Sequence, residues 1–139
     1  MLYILDTDHI SLVQRQHPIV SRKLSYIPSN QRAVTAISLV EQLQGRLANI
    51  HRVKAEAEAS MAFHLLLQTV EFYRSLLILP YEPAAVAEFT RLRQQKVRIG
   101  TQDLRIASIA LSYGAVIVTR SRRDFNQVPD LTIVDWSQP

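Results

Sequence analysis

Apolar and polar residues alternate in blocks along the chain, and these blocks predict strands and helices in turn. Short apolar runs closed by polar residues are typical of buried strands, and the runs of this kind cover residues 2–5, 33–36, 76–79, 115–118 and 131–134. Between them the apolar residues follow a helical period, which predicts helices over residues 8–13, 18–27, 37–50, 51–77, 82–97 and 101–113. Strands that alternate with helices predict a parallel sheet covered on both faces.

Single residues mark several of the predicted ends. Asp8 and Thr101 are each suited to cap the helix that follows them, and Gly114 is suited to end one. The spacing also predicts which apolar side chains face the core. In the helices over residues 37–50 and 82–97 these are Leu39, Val40, Leu43, Leu47, Ile50, Val86, Phe89 and Leu92.

Length and composition predict one globular domain over residues 1–139. The chain is 47% hydrophobic and contains no cysteine, which excludes disulfides and thiolate metal sites and fits a reducing compartment. The apolar start is too short for a signal peptide, and no apolar run reaches the roughly 20 residues that span a bilayer. We therefore expect a soluble, cytoplasmic protein without a membrane contact.

The charge balance is basic. Sixteen Lys and Arg face twelve Asp and Glu, which gives a formal charge of +4 and a pI near 9.8. Most of the basic residues are Arg, which suits bidentate contacts to phosphate. This balance permits a nucleic-acid partner without requiring one.

Acidic residues occur at corresponding points of the predicted fold. Each lies at a strand end or in the early turns of the helix after a strand: Asp6 follows the first strand, Glu41 lies early in the helix over residues 37–50, and Asp103 lies in the first turn of the helix over residues 101–113. Ser38 and Gly45 share the helix face of Glu41 and leave space around it. Because the carboxyl ends of parallel strands meet at one edge of a sheet, these acids are expected to converge there.

Carboxylates gathered in this way suit a hard divalent cation such as Mg²⁺, which takes oxygen ligands and can activate water for phosphoryl chemistry. Each acid alone is better explained as a cap, a turn residue or a solvated side chain. Their matching positions favour a site instead. Zinc is not indicated, because the histidines lack ligand spacing and no cysteine joins them. The chain also has no glycine-rich phosphate loop and no signature of Ser-His-Asp catalysis.

Several segments together resemble the PIN-domain family, and within it the VapC-type toxins of toxin–antitoxin pairs. The segments are LDTDHIS, TAISLVEQLQG, IGTQDLRIASIAL and VTRSRRDFNQVPDLTIVDW. The resemblance covers the whole chain with the motifs in family order. It implies an α/β fold, a three-layer α/β/α PIN-like domain with a mostly parallel sheet of four to five strands.

The resemblance also implies functional residues. Asp6, Glu41 and Asp103 correspond to family ligands of Mg²⁺ or Mn²⁺. A fourth family position, usually Asn or Asp, is occupied here by Ser121, and Asp124 is the nearest substitute. The catalytic set is thus expected to be Asp6, Glu41, Asp103 and Asp124. Asp8 is either an outer neighbour of the metal or a helix cap.

The family implies an RNA substrate, a homodimer and a cognate antitoxin. Residues 51–77 carry more apolar surface than one core needs and are a candidate surface for either protein contact. Arg120, Arg122 and Arg123 flank the acids and are read either as contacts to RNA phosphates or as a solvated basic turn.

The sequence therefore predicts a metal-dependent endoribonuclease, the toxin of a type II toxin–antitoxin system. Two alternatives stay open at this point. Ser121 favours an RNA- or partner-binding module of the same fold without catalysis. The Asp6-Thr7-Asp8 motif resembles the nucleophile motif of haloacid-dehalogenase-type phosphatases, with Asp6 attacking phosphate and Asp8 as the acid.

Overall fold

A parallel sheet forms the centre of the computed structural model, which describes residues 1–139. Its strands lie in the order β3-β2-β1-β4-β5, and every neighbouring pair is parallel. The bounds are β1 Tyr3–Leu5, β2 Arg32–Thr35, β3 Leu77–Leu79, β4 Val116–Val118 and β5 Thr132–Val134. The predicted α/β class and its parallel sheet are confirmed.

Helices connect the strands and cover both faces of the sheet. Two helices separate each of the pairs β1–β2, β2–β3 and β3–β4, and one short helix separates β4 from β5. Their bounds are α1 Thr7–Gln14, α2 Pro18–Ser25, α3 Ala36–Arg52, α4 Glu56–Arg74, α5 Pro83–Gln94, α6 Thr101–Tyr113 and α7 Arg122–Phe125. No helix combines the length and the apolar character that crossing a bilayer requires.

Two hydrophobic clusters lie on opposite faces of the sheet. Neighbouring strand residues such as Ile4 and Leu5 enter different clusters, because successive side chains of a strand point to opposite faces. Leu92 of α5 and Ile106 of α6 belong to the cluster of Ile4. The cluster of Leu5 is completed by residues of α1, α2, α4 and the C-terminal segment, namely Ile10, Val20, Tyr73 and Trp136. The expected three-layer α/β/α arrangement is therefore present.

The helix ends differ from the prediction at two caps. The N-cap of α1 is Asp6, whose side chain accepts a hydrogen bond from the Thr7 N–H, so the interpretation of Asp8 as the cap is wrong. The N-cap of α6 is Gly100, and Thr101 is already the first helical residue. Gly114 ends α6 in the left-handed conformation with φ of 62°, as predicted.

The helix predicted over residues 51–77 also needs correction, because α3 extends to Arg52 and α4 begins only at Glu56. Three side chains expected in the core are exposed instead: Val40 by 45%, Leu47 by 46% and Val86 by 44%. Strand length explains the exposure of Leu47, in the fourth turn of α3, but not that of Val40, in its second turn. A helix of 17 residues is about 25 Å long, whereas strands of three or four residues extend for about 10–13 Å. Much of α3 therefore has no sheet beneath it.

Candidate active site

Asp6 lies where β1 ends and α1 begins. Its backbone N–H donates to the Val118 carbonyl at 3.0 Å and so continues the pairing of β1 with β4. Its side chain accepts two hydrogen bonds, from the Thr7 N–H to Oδ1 at 2.8 Å and from the Thr119 hydroxyl to Oδ2 at 2.8 Å. With only 5% of its surface exposed, the carboxylate of Asp6 is held in one orientation.

Glu41 lies in the second turn of α3, beside the start of α1. The side chain of Thr35 caps α3 by accepting from the Ser38 N–H at 3.2 Å, and the Ser38 hydroxyl meets the Thr7 hydroxyl at 3.2 Å. These contacts tie the first turns of α3 and α1 together. A Cβ added at Gly45 would meet no atom within 4 Å, so the predicted open space on this helix face is present.

Asp103 reaches the same edge from the first turn of α6, which is the second helix after β3 rather than the first. Its pKa is raised by burial and then by the charges of Glu41, Asp124 and Asp8. Asp124 lies on α7, directly after β4. The structure therefore brings the predicted acids from β1, α3, α6 and α7 close enough for their charges to interact.

The pKa values of the other acids report the same crowding. Burial raises the pKa of Asp6 to about 6, against the hydrogen bonds from Thr119 and Thr7, and the charges of Asp8 and Asp103 add to the rise. Burial also raises the pKa of Glu41, with the charge of Asp6 as the second cause. Each of these carboxylates would be stabilised by a nearby positive charge.

No Lys or Arg supplies that charge. The ion pairs of the structure that involve Arg are Arg74–Glu71 and Arg91–Glu88, which lie elsewhere, and Lys forms none. No three acidic or histidine side chains are arranged to hold a metal ion as they stand. The donor set itself, carboxylate oxygens without a basic partner, is the chemistry that Mg²⁺ and Mn²⁺ prefer in proteins.

Asp8 lies beside this group and is bound by several donors of its own. Its Oδ1 lies 2.8 Å from His9 Nδ1, and its Oδ2 accepts from the Arg120 N–H at 3.0 Å. Burial acts to raise the pKa of Asp8, but the hydrogen bonds from His9 and Arg120 outweigh it and lower the pKa below its ordinary value. Asp8 therefore stays ionised, in contact with the residues around Asp6.

Thr119 is a site residue that the sequence reasoning missed. It is fully buried, donates to Asp6, and accepts the Ser121 N–H at 2.9 Å. Its position offered a signal, because it closes the fourth strand as Asp6 closes the first. Ser121, which occupies the family position of Asn or Asp, is thus connected to Asp6 through its backbone N–H and Thr119. The side chain of Ser121 does not cap α7.

Tyr73 of α4 also escaped the sequence reasoning. Its hydroxyl is buried and has no hydrogen-bond partner, and its pKa is raised by burial and then by the charge of Glu41. No pattern in the sequence marks this residue, since helical spacing assigns it simply to the core.

Comparison with known proteins gives a consistent set of relatives, although no family model matches the chain. Ribonuclease VapC of Rickettsia bellii is 30% identical over 136 residues, covering 94% of this chain and 93% of the relative. Ribonuclease VapC1 of Haemophilus influenzae is 29% identical over 142 residues, 99% of this chain and 100% of the relative. The tRNA(fMet)-specific endonuclease VapC of Salmonella typhimurium is 29% identical over 139 residues, 96% of this chain and 97% of the relative.

Solved structures share the fold. VapBC-1 from nontypeable Haemophilus influenzae aligns with a TM-score of 0.77 at 24% identity, over 99% of this chain and 100% of the other. DNA-bound VapBC from Salmonella typhimurium aligns with a TM-score of 0.76 at 22% identity, over 98% of this chain and 99% of the other. The arrangement of five parallel strands with helices on both faces is therefore one that these toxin–antitoxin structures contain.

Proposed function

The chain belongs to the VapC family of PIN-domain toxin ribonucleases, and from this premise we propose that it hydrolyses RNA with a divalent metal ion held by Asp6, Glu41 and Asp103. It is an endoribonuclease of the toxin–antitoxin kind. The observation that carries the metal assignment is the group of carboxylates with raised pKa values and no basic partner. Mg²⁺ or Mn²⁺ fits this donor set.

The residues of the chain have separable roles in this proposal. Asp6 is fixed by Thr7 and Thr119, and with Asp103 it would hold the ion. Glu41, with space beside it at Gly45, completes the ligand set or orients the attacking water. A bound ion supplies a water of lowered pKa and neutralises charge on the phosphate.

Asp124 is proposed as the fourth acid in place of the family residue at Ser121. Its charge raises the pKa of Asp103, which supports a position near the ion. Arg120, Arg122 and Arg123 are exposed and form no ion pair with an acid. We propose that they contact phosphates of the RNA, where they would position the backbone rather than read bases.

The partners are proposed to be a cognate antitoxin and a second copy of the chain. The similar solved structures are VapBC toxin–antitoxin complexes. On α4, the apolar residues Phe63, Leu67 and Val70 lie one turn apart and are exposed by 54%, 64% and 41%. A groove of about 640 Å³ between the end of α3 and α4 lies on another side of α4, where Met61, Leu65 and Gln68 line it. Asp6, Glu41, Asp103 and Asp124 do not line that groove.

The test is cleavage of RNA with and without Mg²⁺ or Mn²⁺. We expect Asp6→Asn and Asp103→Asn to lower the rate about 100-fold or more, since a bound ion contributes several kcal/mol to the transition state. Asp130→Asn is the matched control. Asp130 is exposed and has φ of 66°, a conformation that Asn tolerates, so this variant should cleave like the parent. Unchanged cleavage by Asp6→Asn would disprove the assignment.

The departure at Ser121 supports one second candidate, a binding module that has kept the fold without the chemistry. Calorimetric titration with Mn²⁺ separates the two, because the enzyme must bind the ion and the module need not. The phosphatase alternative is disfavoured by Asp8, since a carboxyl with a lowered pKa is a poor general acid near neutral pH.

A further inference from the structure

His9 is a fully buried histidine next to the proposed site. Its Nε2 accepts the Trp136 N–H at 3.2 Å, and its Nδ1 lies 2.8 Å from Asp8 Oδ1. An acceptor at Nε2 places the ring proton on Nδ1, so His9 donates to Asp8. Asp135 Oδ1 is 3.4 Å from Nε2 and is itself occupied by the Ser137 N–H and hydroxyl. The ring therefore connects the C-terminal segment to Asp8.

Asp8 and Asp6 compete for one proton at Thr119. The Thr119 hydroxyl lies 2.8 Å from Asp6 Oδ2 and 3.3 Å from Asp8 Oδ2, but a hydroxyl has a single proton to donate. The Arg120 N–H at 3.0 Å and the His9 ring satisfy Asp8. Because Asp8 has these donors, the proton of Thr119 is left for Asp6.

We propose that His9 is a positioning residue for the proposed site: by donating to Asp8 it fixes the Arg120 backbone and with it the adjacent Thr119, whose hydroxyl holds the Asp6 carboxylate. The inference rests on the proposed function for its effect on catalysis. His9 has no hydrogen bond to Asp6 and acts through Asp8, which accepts from the Arg120 N–H across a separation of 112 residues along the chain.

Two substitutions separate the roles of the two ring nitrogens of His9. In His9→Asn the side-chain NH₂ replaces Nδ1 and can still donate to Asp8, whereas the acceptor for the Trp136 N–H is lost. In His9→Gln the amide oxygen replaces Nε2 and can still accept from Trp136, whereas the donor to Asp8 is lost. Each variant removes one hydrogen bond, to the half-buried Asp8 or to the buried Trp136 N–H, so both should unfold at a lower temperature than the parent.

The cleavage assay distinguishes positioning from a merely structural role. We expect His9→Gln to lower kcat about 10- to 100-fold, the usual effect of losing a group that orients metal ligands, with KM for RNA unchanged. We expect His9→Asn to keep kcat within about threefold of the parent. If both variants lose activity in step with their unfolding temperatures, or if His9→Gln cleaves like the parent, the proposal is overturned.

A metal-free readout tests the geometry without cleavage. In ¹H–¹⁵N spectra and amide exchange of the apo protein, His9→Gln should shift and deprotect the Arg120 amide while sparing Trp136, and His9→Asn should do the reverse. The opposite pattern, or no change at Arg120, would overturn the positioning role. If the parent does not cleave RNA although the variants show this amide pattern, the result would instead count against the proposed nuclease function. The two failures are therefore distinguishable.

Discussion

Asp6 holds its carboxylate at the end of a buried strand, where function and stability make opposite demands. Burial raises its pKa to about 6, which means that the charged form is less stable in the folded chain than in the unfolded one. An ion bound there would reverse this cost. Active sites commonly lower stability in this way, because their charges are arranged for the ligand rather than for the free protein.

The raised pKa of Asp6 predicts that Asp6→Asn increases the free energy of unfolding by an amount that depends on pH. Between about pH 4 and pH 6 the folded parent binds a proton at Asp6 that the unfolded chain has released, so the stability of the parent falls as the pH rises through this window. Asn carries no charge and does not titrate. In EDTA at pH 7.5 we therefore expect Asp6→Asn to raise the free energy of unfolding by about 1–3 kcal/mol.

Urea unfolding at several pH values measures this difference. The gain should shrink as the pH is lowered toward about 4, where Asp6 of the parent is protonated as well. Asp130→Asn, on the exposed surface, is the control and should show no such trend. A variant at Asp6 that is less stable than the parent at pH 7.5 would contradict the burial of an uncompensated charge.

Single residues differ in how far the sequence could place them. Asp6, Glu41 and Asp103 were predictable as neighbours, because their positions in the order of elements lead to one sheet edge. The hydrogen bond from Thr119 to Asp6 joins residues 113 positions apart, and the one from the Trp136 N–H to His9 spans 127. Such contacts depend on the packed structure, and no periodicity records them.

At the scale of elements, the glycine that ends α6 was predictable from the sequence, whereas the N-caps predicted at Asp8 and Thr101 are wrong. Gly114 ends α6 with φ of 62°, a conformation that costs a residue with a Cβ about 1–2 kcal/mol. Gly45 lies inside α3 with ordinary helical geometry, where glycine is less stable than alanine by about 0.5–1 kcal/mol. A Cβ at either position would meet no atom within 4 Å.

These two glycines therefore predict opposite results for the same substitution. Gly114→Ala should lower the free energy of unfolding by about 1–2 kcal/mol through backbone strain. Gly45→Ala should raise it by about 0.5–1 kcal/mol through lower entropy of the unfolded chain. Urea unfolding of both variants under one condition measures the contrast. Equal effects of the same sign would show that packing, rather than backbone conformation, decides at these sites.

The faces of the helices were also only partly predictable. Helical spacing identified an apolar stripe on α3, yet Val40 and Leu47 are exposed, and for Leu47 the reason is that the sheet is too short to reach it. The spacing of apolar residues shows that a helix has an apolar face, but the length of its neighbours decides how much of that face is buried. On α6, which lies against the sheet, Ile106, Ala107 and Ala110 are buried as expected.

At the scale of the whole molecule, the exposed apolar residues of α3 and α4 lie on one helical pair. Val40 and Leu47 of α3 are exposed, together with Phe63, Leu67 and Val70 on one side of α4. Isolated exposed apolar residues are ordinary, whereas a group of them marks a contact surface. The group fits the proposed self-association, which would bury about 800 Å² on each copy.

The proposed homodimer predicts a difference between two valines of nearly equal exposure. Val70 of α4 is 41% exposed and Val86 of α5 is 44% exposed, so an aspartate at either position should leave the fold intact. In a dimer formed through α4, Val70→Asp would bury an unpaired carboxylate, which costs several kcal/mol. We therefore expect its dimer dissociation constant to rise about 100-fold or more, while Val86→Asp associates like the parent.

Sedimentation velocity over a concentration series measures the dimer dissociation constants of the two variants and the parent. Circular dichroism checks that each variant remains folded. A Val70→Asp chain that dimerises as tightly as the parent would place the interface elsewhere, and equal weakening by both substitutions would implicate the added charge itself. A parent that stays monomeric would remove self-association from the proposal and leave the apolar surface to the antitoxin.

Because Val70 lies on α4 and the acids lie at the carboxyl edge of the sheet, RNA cleavage by a folded Val70→Asp monomer would show that each copy carries a complete site.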